Sequence, residues 1–218
     1  MAVDFAAARL KMVDNQLRTS NVTDHRVLAA IGEVPRELFV PANRAALAYA
    51  DVVHHLGGDR YLAAPAPFAK LLQLAEITEA DRILDVGAGT GYSTAVLSQL
   101  GSEVTALEPD TALAERAESN LRELGVTNAT VAVGPLNGSS LLHSHFDVVV
   151  VEGEVRSEPT ELTYLLRDGG RLVVVIAGNG PGVAHVFVKS GGEVAGRSEF
   201  NASLPPLTAP PRLETFVF

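Results

Sequence analysis

Cysteine is absent from this chain of 218 residues. Its absence excludes a disulfide scaffold, a thiolate zinc site, an iron–sulfur cluster and a cysteine nucleophile, and it is compatible with a reducing compartment. The sequence also lacks an apolar run of about 20 residues, the length that a membrane span needs, and a basic-then-apolar secretion signal. Basic residues are few: 17 Lys and Arg oppose 26 Asp and Glu, giving a formal net charge of −9. Such a surface repels nucleic acids and anionic membranes.

The residues that are present describe an ordinary globular protein. Hydrophobic residues make up 47% of the chain and charged residues 20%, which excludes disorder as the main theme. At about 100–200 residues per domain, the length predicts one domain with a small extension. We therefore expect a soluble, cytoplasmic, single-domain protein.

Residues 1–76 show helical periodicity and no convincing strand. Thr23 or Asp24 is predicted to cap a second helix, and residues 54–60 are predicted to form a loop. A third helix is predicted over about residues 65–77. We expect this region to pack on the core as a helical substrate-binding or lid segment. The apolar residues predicted to line the buried face of the first helix, at spacings of three and four, are Ala6, Leu10, Val13 and Leu17.

Residues 77–218 alternate between strand and helix patterns, which indicates βαβ units and a parallel sheet. The predicted fold is α/β: a mostly parallel central sheet flanked by helices, with an N-terminal helical extension and a C-terminal antiparallel hairpin. The predicted strands are residues 82–86, 103–107, 129–133, 146–151 and 171–176, then the hairpin 183–189 with 193–200, and 213–218. Three helices are predicted in this region. The first extends from the loop after the first of these strands to about residue 100, and the other two span residues 111–124 and 158–166.

Three glycines, Gly87, Gly89 and Gly91, separate the first predicted strand of this region from its helix. Glycine there permits a sharp turn and the close approach of a ligand; a simple tight turn is the alternative. A dinucleotide loop has the spacing Gly-x-Gly-x-x-Gly, whereas this loop has Gly-x-Gly-x-Gly with Asp85 before it. An acid at that place repels a pyrophosphate and accepts from an ammonium group, which favours a ligand with a cationic amino acid end.

Glu108 ends the second predicted strand of the sheet. A carboxylate at the tip of that strand can accept hydrogen bonds from both hydroxyls of a ribose, and a solvated acid at a strand end is the alternative. A ribose joined to an aminoacyl cation describes S-adenosylmethionine. The order of the elements, with an antiparallel hairpin late in the chain, fits the class I methyltransferase fold, which is Rossmann-like.

Strings of residues along most of the chain resemble the protein-L-isoaspartate O-methyltransferase family. The most specific is Val-Pro-Arg-Glu-Leu-Phe-Val-Pro at residues 34–41, since class I methyltransferases share the glycine loop. The resemblance implies transfer of a methyl group from S-adenosylmethionine to a carboxylate of a damaged aspartyl residue, as a protein repair reaction. The other strings similar to the family lie at residues 12–17, 24–28, 48–51, 124–128, 146–147 and 169–172.

The resemblance also implies which residues form the site. On the acceptor side, Ala63 stands where the family has a serine that contacts the substrate carboxylate. The main chain of Ala63 is therefore expected to line the acceptor side, together with Arg60 and Tyr61, which lie beside the missing serine. Asp85 and the glycine loop are expected to hold the methionine end of the cofactor, and Glu108 the ribose. The full set expected to bind the cofactor is Asp85, Gly87, Ala88, Gly89, Tyr92, Glu108, Pro109, Gly134 and Pro135.

Three departures from the family pattern fall on these positions, one of them Tyr61 in place of a threonine. Ala63 replaces the serine hydroxyl with a methyl group, and Gly134-Pro135-Leu136 stands where the family has Gly-Asp-Gly with an acid that binds adenine. A lost hydrogen bond costs about 0.5–1.5 kcal/mol, so weaker cofactor binding is expected. Arg60 lies beside the missing serine and can hold a carboxylate in bidentate fashion. A methyltransferase with a different acceptor, or a cofactor-binding homologue without turnover, are the alternatives.

The remaining polar residues give weaker signals. Glu152 and Glu154 follow the fourth predicted strand, where the family is neutral and small, and a solvated loop is one explanation for them. No metal site is predicted, because no third ligand of clear spacing accompanies the histidines. The expected partner is a peptide or protein with an isoaspartyl residue, or a small acceptor, and the chain is expected to be a monomer or weak dimer. The histidines predicted to lie on surface loops are His54, His55, His143 and His145.

Overall fold

A computed structural model describes residues 3–178 and 180–208 of the chain. Its first helix, α1, spans Phe5–Met12 and begins at Asp4, whose side chain accepts from the backbone N–H of Ala7. A π-helical turn, Val13–Leu17, and a short 3₁₀ turn continue it.

The predicted buried stripe of this first helix is wrong in its N-terminal half. Ala6 and Leu10 are exposed, whereas Val13 and Leu17 are buried as predicted, together with Met12. A π turn has more residues per turn than an α-helix, so it changes the angle between successive side chains. The buried residues after Met12 therefore do not lie on the same helix face as Leu10. An α-helical period alone therefore misplaces the inner face of α1.

The rest of the N-terminal segment holds two helices and a small hairpin. Helix α2 spans His25–Glu33 and is capped by Asp24, as predicted. The predicted loop at 54–60 is instead part of an antiparallel hairpin, because backbone pairing joins its two halves around the turn. The elements that complete this segment are β1 (His54–Gly57), β2 (Arg60–Leu62) and α3 (Pro65–Leu74), after 3₁₀ turns at Arg36–Phe39 and Ala42–Leu47.

The second half of the chain forms a seven-stranded sheet of order β5-β4-β3-β6-β7-β8-β9. The first five strands in that order pair in parallel and the last two antiparallel, so the predicted α/β fold with its late hairpin is confirmed. The strands are β3 (Arg82–Val86), β4 (Glu103–Glu108), β5 (Ala129–Val133), β6 (Phe146–Val155), β7 (Leu166–Ile176), β8 (Val183–Ser190) and β9 (Glu193–Asn201). The helices are α4 (Tyr92–Leu97), α5 (Thr111–Glu123) and α6 (Thr160–Thr163).

Three helices are shorter than predicted, and the first of them, α3, ends at Leu74 rather than at about residue 77. Helix α4 ends at Leu97, with turns leading to Leu100. The helix predicted over 158–166 is the single turn α6, because the carbonyl of Leu165 accepts from the N–H of Phe146 and β7 begins at Leu166. The strand predicted over 213–218 lies outside the described residues.

The N-terminal segment and one face of the sheet share a hydrophobic core. Side chains from α2 and α3 belong to the same buried cluster as Ile83 and Val148 of the central strands. The valines at 148–151 are all fully buried, as expected for a strand covered on both faces. This packing fixes the β1–β2 hairpin above the carboxyl edge of the sheet. Among the described residues, the longest apolar helices are too short to cross a membrane.

Candidate functional site

The glycine loop turns tightly between β3 and α4. Gly87, Gly89 and Gly91 all have positive φ, at 88°, 57° and 91°. A Cβ on Gly91 would lie 3.2 Å from the backbone Cα of Ala117 in α5. Residues with side chains are strained in this conformation, so the loop needs glycine for its own geometry as well as for a ligand.

Asp85 lies on β3 beneath this loop and is fully buried. Its Oδ2 accepts hydrogen bonds from the hydroxyls of Ser93, at 2.7 Å, and Thr94, at 2.6 Å. Its Oδ1 is enclosed and has no hydrogen-bond partner among the described residues. Burial raises the pKa of Asp85 to about 6, although the two hydroxyl donors lower it. One carboxylate oxygen is therefore held in place and the other is available to a donor.

Glu108 ends β4 and is also fully buried. Its Oε2 accepts the backbone N–H of Gly89 at 2.7 Å, and its Oε1 accepts that of Asp110 at 3.2 Å. Glu108 therefore ties the glycine loop to the tip of the neighbouring strand, where ligands of open α/β sheets bind.

Arg60, expected on the acceptor side, lies against the glycine loop. Its Nε donates to Oε2 of Glu108 at 3.3 Å, and its Nη1 donates to the carbonyl of Leu207 at 2.7 Å. Its Nη2 is buried without a partner among the described residues and lies 2.4 Å from the position that a Cβ on Gly87 would take. The guanidinium thus fills the space that Gly87 leaves open.

Ala63 is buried, and its carbonyl accepts from Nη2 of Arg36. The same guanidinium donates to the carbonyl of Ala48 at 2.8 Å and lies 4.6 Å from the centre of the Tyr92 ring. Burial lowers the pKa of Arg36 and raises that of Tyr92. Arg36 therefore anchors the main chain at Ala63 to the first residue of α4.

Tyr61 points away from the glycine loop, on the other side of the β1–β2 hairpin. Its ring packs against His55, with ring centres 5.1 Å apart. Tyr61 lines an open groove of about 500 Å³. The other residues that line this groove are Pro41, Asn43, Arg44, Val53, His55, Leu56 and Gly57.

The remaining residues expected to bind the cofactor border the same edge of the sheet. The N–H of Gly134 donates to the carbonyl of Glu108 at 3.3 Å, which places the end of β5 beside the end of β4. Pro109 and Pro135 are exposed next to these two residues, while Ala88 is buried within the loop. The structure therefore brings the expected cofactor residues to one edge of the sheet, with Arg60 among them.

Glu152 also lies at this edge, although no definite role is predicted for it from the sequence. It continues β6 directly after Val151, the strand neighbour of Val86. Its Oε1 is enclosed without a partner among the described residues, so the solvated loop is wrong for this residue. Burial raises the pKa of Glu152 well above its usual range, and the nearby Asp85 raises it further. A carboxyl group directly after four consecutive valines was the sequence signal.

The four histidines predicted to lie on surface loops differ in their exposure. His55, His143 and His145 are exposed as predicted, but His54 is fully buried. The prediction of a surface position is therefore wrong for His54, because the N-terminal segment covers β1. Within residues 3–178 and 180–208, no group of three His, Asp or Glu side chains is arranged to hold a metal ion.

The comparison with protein families decides the identity of this fold and site. The family model of protein-L-isoaspartate(D-aspartate) O-methyltransferase matches residues 8–210. The chain belongs to this family. It is therefore an S-adenosylmethionine-dependent O-methyltransferase, which confirms the class of enzyme and the cofactor that the sequence predicted.

Individual members of the protein-L-isoaspartate O-methyltransferase family give the same result. The protein of that name from Koribacter versatilis is 37% identical over 172 residues, which are 79% of this chain and 78% of the relative. A solved structure of the same name has a TM-score of 0.76 at 26% identity, over 91% of this chain, which spans only 65% of that chain. A Plasmodium falciparum structure described as a putative member in complex with S-adenosyl-L-homocysteine has the same fold, with a TM-score of 0.79 at 18% identity over 95% of this chain and 99% of that one.

The described side chains fit the charged groups of S-adenosylmethionine. The free Oδ1 of Asp85 suits an ammonium donor, and Glu108 stands at the strand tip where a ribose is held. The open faces of Gly87 and Gly89 suit a ligand in close contact, yet Arg60, Leu207 and Leu56 lie against them. Carboxylates suited to the amino acid and ribose ends of the cofactor are therefore present, and part of the chain covers them.

Proposed function

We propose that this chain methylates the carboxylate of isoaspartyl or D-aspartyl residues in damaged proteins. The observation that carries the proposal is the meeting of the free Asp85 oxygen and the Glu108 carboxylate at the glycine loop of a chain of this family. The acceptor class comes from the names of the matching relatives.

The cofactor residues of the proposal lie along the edge formed by β3, β4 and β5. Asp85 accepts from the ammonium group, Gly87 and Gly89 contact the methionine end, and Glu108 accepts from the ribose hydroxyls. When bound, S-adenosylmethionine supplies a methyl group on a positively charged sulfur, which a carboxylate oxygen can attack directly. The residues proposed to border the rest of the cofactor are Ala88, Tyr92, Pro109, Gly134 and Pro135.

The acceptor peptide is assigned to the groove lined by Tyr61. This groove lies beside the cofactor edge, separated from it by the hairpin residue Leu56, which touches both. Arg44 supplies a cation there, which suits an acidic peptide. The N-terminal segment, residues 1–76, is thus the acceptor-binding part of the chain, and residues 77–218 form the cofactor-binding core.

Glu152 is proposed to take over the role of the missing serine hydroxyl. Ala63 has no side-chain donor for the acceptor carboxylate, and its carbonyl is occupied by Arg36. Burial and Asp85 raise the pKa of Glu152, which favours its neutral form, against the opposite influence of Arg60 and Arg36. A neutral carboxylic acid donates one hydrogen bond, so it can hold the acceptor's ionised oxygen.

The chemical task of the site is alignment rather than proton transfer. An aspartyl carboxylate is already ionised at neutral pH, so no general base is needed. The acceptor oxygen must lie in line with the methyl–sulfur bond, with water excluded. Leu56 supplies apolar surface at the loop for that exclusion.

We also propose that the chain acts in the cytoplasm, as a monomer or weak dimer, without nucleic acid. The net charge of −9 supports the last point and the absence of cysteine supports the first.

The test is transfer of labelled methyl from S-adenosylmethionine to an isoaspartyl peptide and to its normal aspartyl twin. The cofactor is raised to millimolar concentration, so that weak adenine binding does not hide turnover. Selective labelling of the isoaspartyl peptide is the expected result. Labelling of neither peptide, or of both equally, would remove the repair function.

A methyltransferase with a different acceptor is the second candidate, and Glu152 is the observation that favours it. An ionised carboxylate at this place would repel a carboxylate acceptor and attract a cationic or hydroxylic one. A metabolite extract that competes strongly with the isoaspartyl peptide for labelled methyl would support this candidate.

A further inference from the structure

The chain covers its own cofactor edge with a short segment after β9, residues 204–208, which we name the strap. The strap pairs with the end of β6: the N–H of Glu154 donates to the carbonyl of Pro205, and the N–H of Leu207 donates to the carbonyl of Glu154, both at 2.9 Å. Glu154 and Pro206 form a parallel bridge. The strap therefore lies across the carboxyl edge of the sheet, where ligands of such sheets bind.

The strap and the β1–β2 hairpin pack directly against glycines, at positions where a Cβ atom would collide with them. A Cβ on Gly153 would lie 2.7 Å from the Cα of Leu207, and a Cβ on Gly87 would lie 2.8 Å from its Cδ1. A Cβ on Gly89 would lie 2.8 Å from Cδ1 of Leu56. The faces at which a ligand would approach the loop are thus in contact with the chain's own side chains.

Arg60 joins the strap to the cofactor residues. Its side chain is 7% exposed and that of Glu108 is fully buried, and the two form an ion pair at 3.3 Å. The same guanidinium donates to the carbonyl of Leu207 in the strap. One side chain thus holds the hairpin, the strap and the proposed ribose-binding acid together.

We infer that Arg60 and the strap form a latch that keeps the cofactor site closed, and that S-adenosylmethionine binds only after Arg60 leaves Glu108. The inference rests on the proposed cofactor residues. A ligand on Gly87 and Glu108 needs the volume and the carboxylate that Arg60 occupies, so the two exclude each other. The cationic cofactor then replaces the positive charge that Arg60 provides to Asp85, Glu108 and Glu152.

The latch lowers the apparent affinity for the cofactor by the fraction of molecules that are open. An open fraction of about one in ten corresponds to about tenfold weaker binding. The strap makes two main-chain hydrogen bonds to one strand, and its Leu204 and Leu207 are buried, so opening the latch exposes these two side chains.

The first test is calorimetric binding of S-adenosylmethionine and S-adenosylhomocysteine to the full chain and to Arg60→Met. Glu108 keeps two backbone donors in this variant. Both ligands are expected to bind at least about tenfold tighter, by the same factor, because only the closed state is removed. The matched control is Arg82→Met, which breaks the exposed pair of Arg82 with Glu103 and is expected to change nothing. Unchanged binding by Arg60→Met would overturn the latch. Weaker binding would also overturn it, because Arg60 would then contribute to holding the cofactor.

The second test locks the strap and does not depend on the Arg60 variant. The chain contains no cysteine, so Glu154→Cys with Pro206→Cys introduces a single pair between bridge partners. The oxidised double variant is expected to lose cofactor binding and to regain it on reduction. Equal binding before and after reduction, with the bond verified by thiol titration, would overturn the latch alone. Absence of binding by wild type, Arg60→Met and the reduced variant would overturn the cofactor site as well.

Discussion

Glu108 holds the backbone N–H of Gly89 at 2.7 Å. The acid at the end of β4 that is proposed to bind the ribose therefore also anchors the glycine loop that shapes the cofactor site. A substitution at Glu108 therefore has two effects that can be measured separately. Loss of the acceptor for Gly89 lowers the stability of the fold, and loss of the carboxylate weakens ligand binding.

The first prediction concerns the buried pair of Glu108 and Arg60. Glu108→Ala leaves Arg60 buried without its counter-ion and two backbone N–H groups without acceptors, so we expect a loss of about 3–5 kcal/mol in the free energy of unfolding. Adding Arg60→Met to Glu108→Ala is expected to recover about 1–3 kcal/mol. Urea unfolding of the two single variants and the double variant measures this cycle. Strictly additive losses would show that the pair is not coupled.

The second prediction concerns the charge of Asp85. Its pKa is raised to about 6 by burial, so its carboxylate is ionised above that pH and neutral below it. Cofactor affinity of the wild type is expected to fall as the pH drops through about 6, because a neutral carboxyl attracts an ammonium group less. Asp85→Asn is expected to bind about tenfold or more weakly at pH 8 and to lack this pH dependence. Calorimetry at pH 5–8 checks both.

The same raised pKa has an opposite consequence for stability. A buried acid whose pKa is raised contributes stability at low pH. For Asp85 this contribution is lost as the pH rises from 3.8, the ordinary pKa of the group, to about 6, its pKa in the folded protein. Asp85→Asn is therefore expected to unfold at no lower urea concentration than the wild type at pH 8. A variant that loses affinity and stability together would indicate a structural role for Asp85 instead.

The strands that carry the site were predictable from the sequence. Buried parallel strands are short apolar runs between turn residues, and β3 and β5 have the predicted bounds. Asp85 and Glu108 lie where a strand end meets the loop, so their position follows from local order along the chain. The prediction that Leu10 is buried was wrong because the α-helical period of 3.6 residues does not reveal the π turn that follows α1.

The residues that cover the site could not be predicted from the pattern of apolar and polar residues along the chain. Arg60 meets Glu108 across 48 residues and Leu207 across 147, and periodicity reports only neighbours in sequence. Position beside the missing serine suggested the acceptor side for Arg60, whereas the register of the hairpin turns its side chain inward and that of Tyr61 outward. Burial of His54 likewise depends on tertiary contacts that periodicity does not report, with Arg36, Arg44 and Leu47 beside it.

The third prediction concerns Glu152 as hydrogen-bond donor to the acceptor. The neutral form is needed, so methylation of the isoaspartyl peptide is expected to decline as the pH rises past the raised pKa of Glu152. Glu152→Gln keeps a donor that does not titrate and is expected to retain activity without this decline. Glu152→Ala is expected to lower kcat/KM about tenfold or more, as for a lost hydrogen bond to a charged group.

The matched control for Glu152 is Glu154→Gln, since the bonds of Glu154 to the strap are made by its backbone. Its pH profile is expected to equal that of the wild type. A profile of Glu152→Gln that still declines with pH would assign the decline to another group, and a fully active Glu152→Ala would exclude the proposed donor.

The last prediction concerns His54 and the stability of the fold in acid. Burial, together with the positive charges of the nearby Arg36 and Arg44, lowers the pKa of His54 to about 4. Stability from a depressed histidine pKa is present above its ordinary value of 6.5 and is lost as the pH falls towards 4. His54→Leu is expected to remove this term, so that Tm falls less between pH 7 and pH 4.5 than in the wild type, by about 2–4 °C for each kcal/mol removed. His55→Leu, at the exposed neighbouring position, is expected to keep the wild-type slope. Equal slopes for all three proteins in thermal scans would show that His54 does not couple protonation to unfolding.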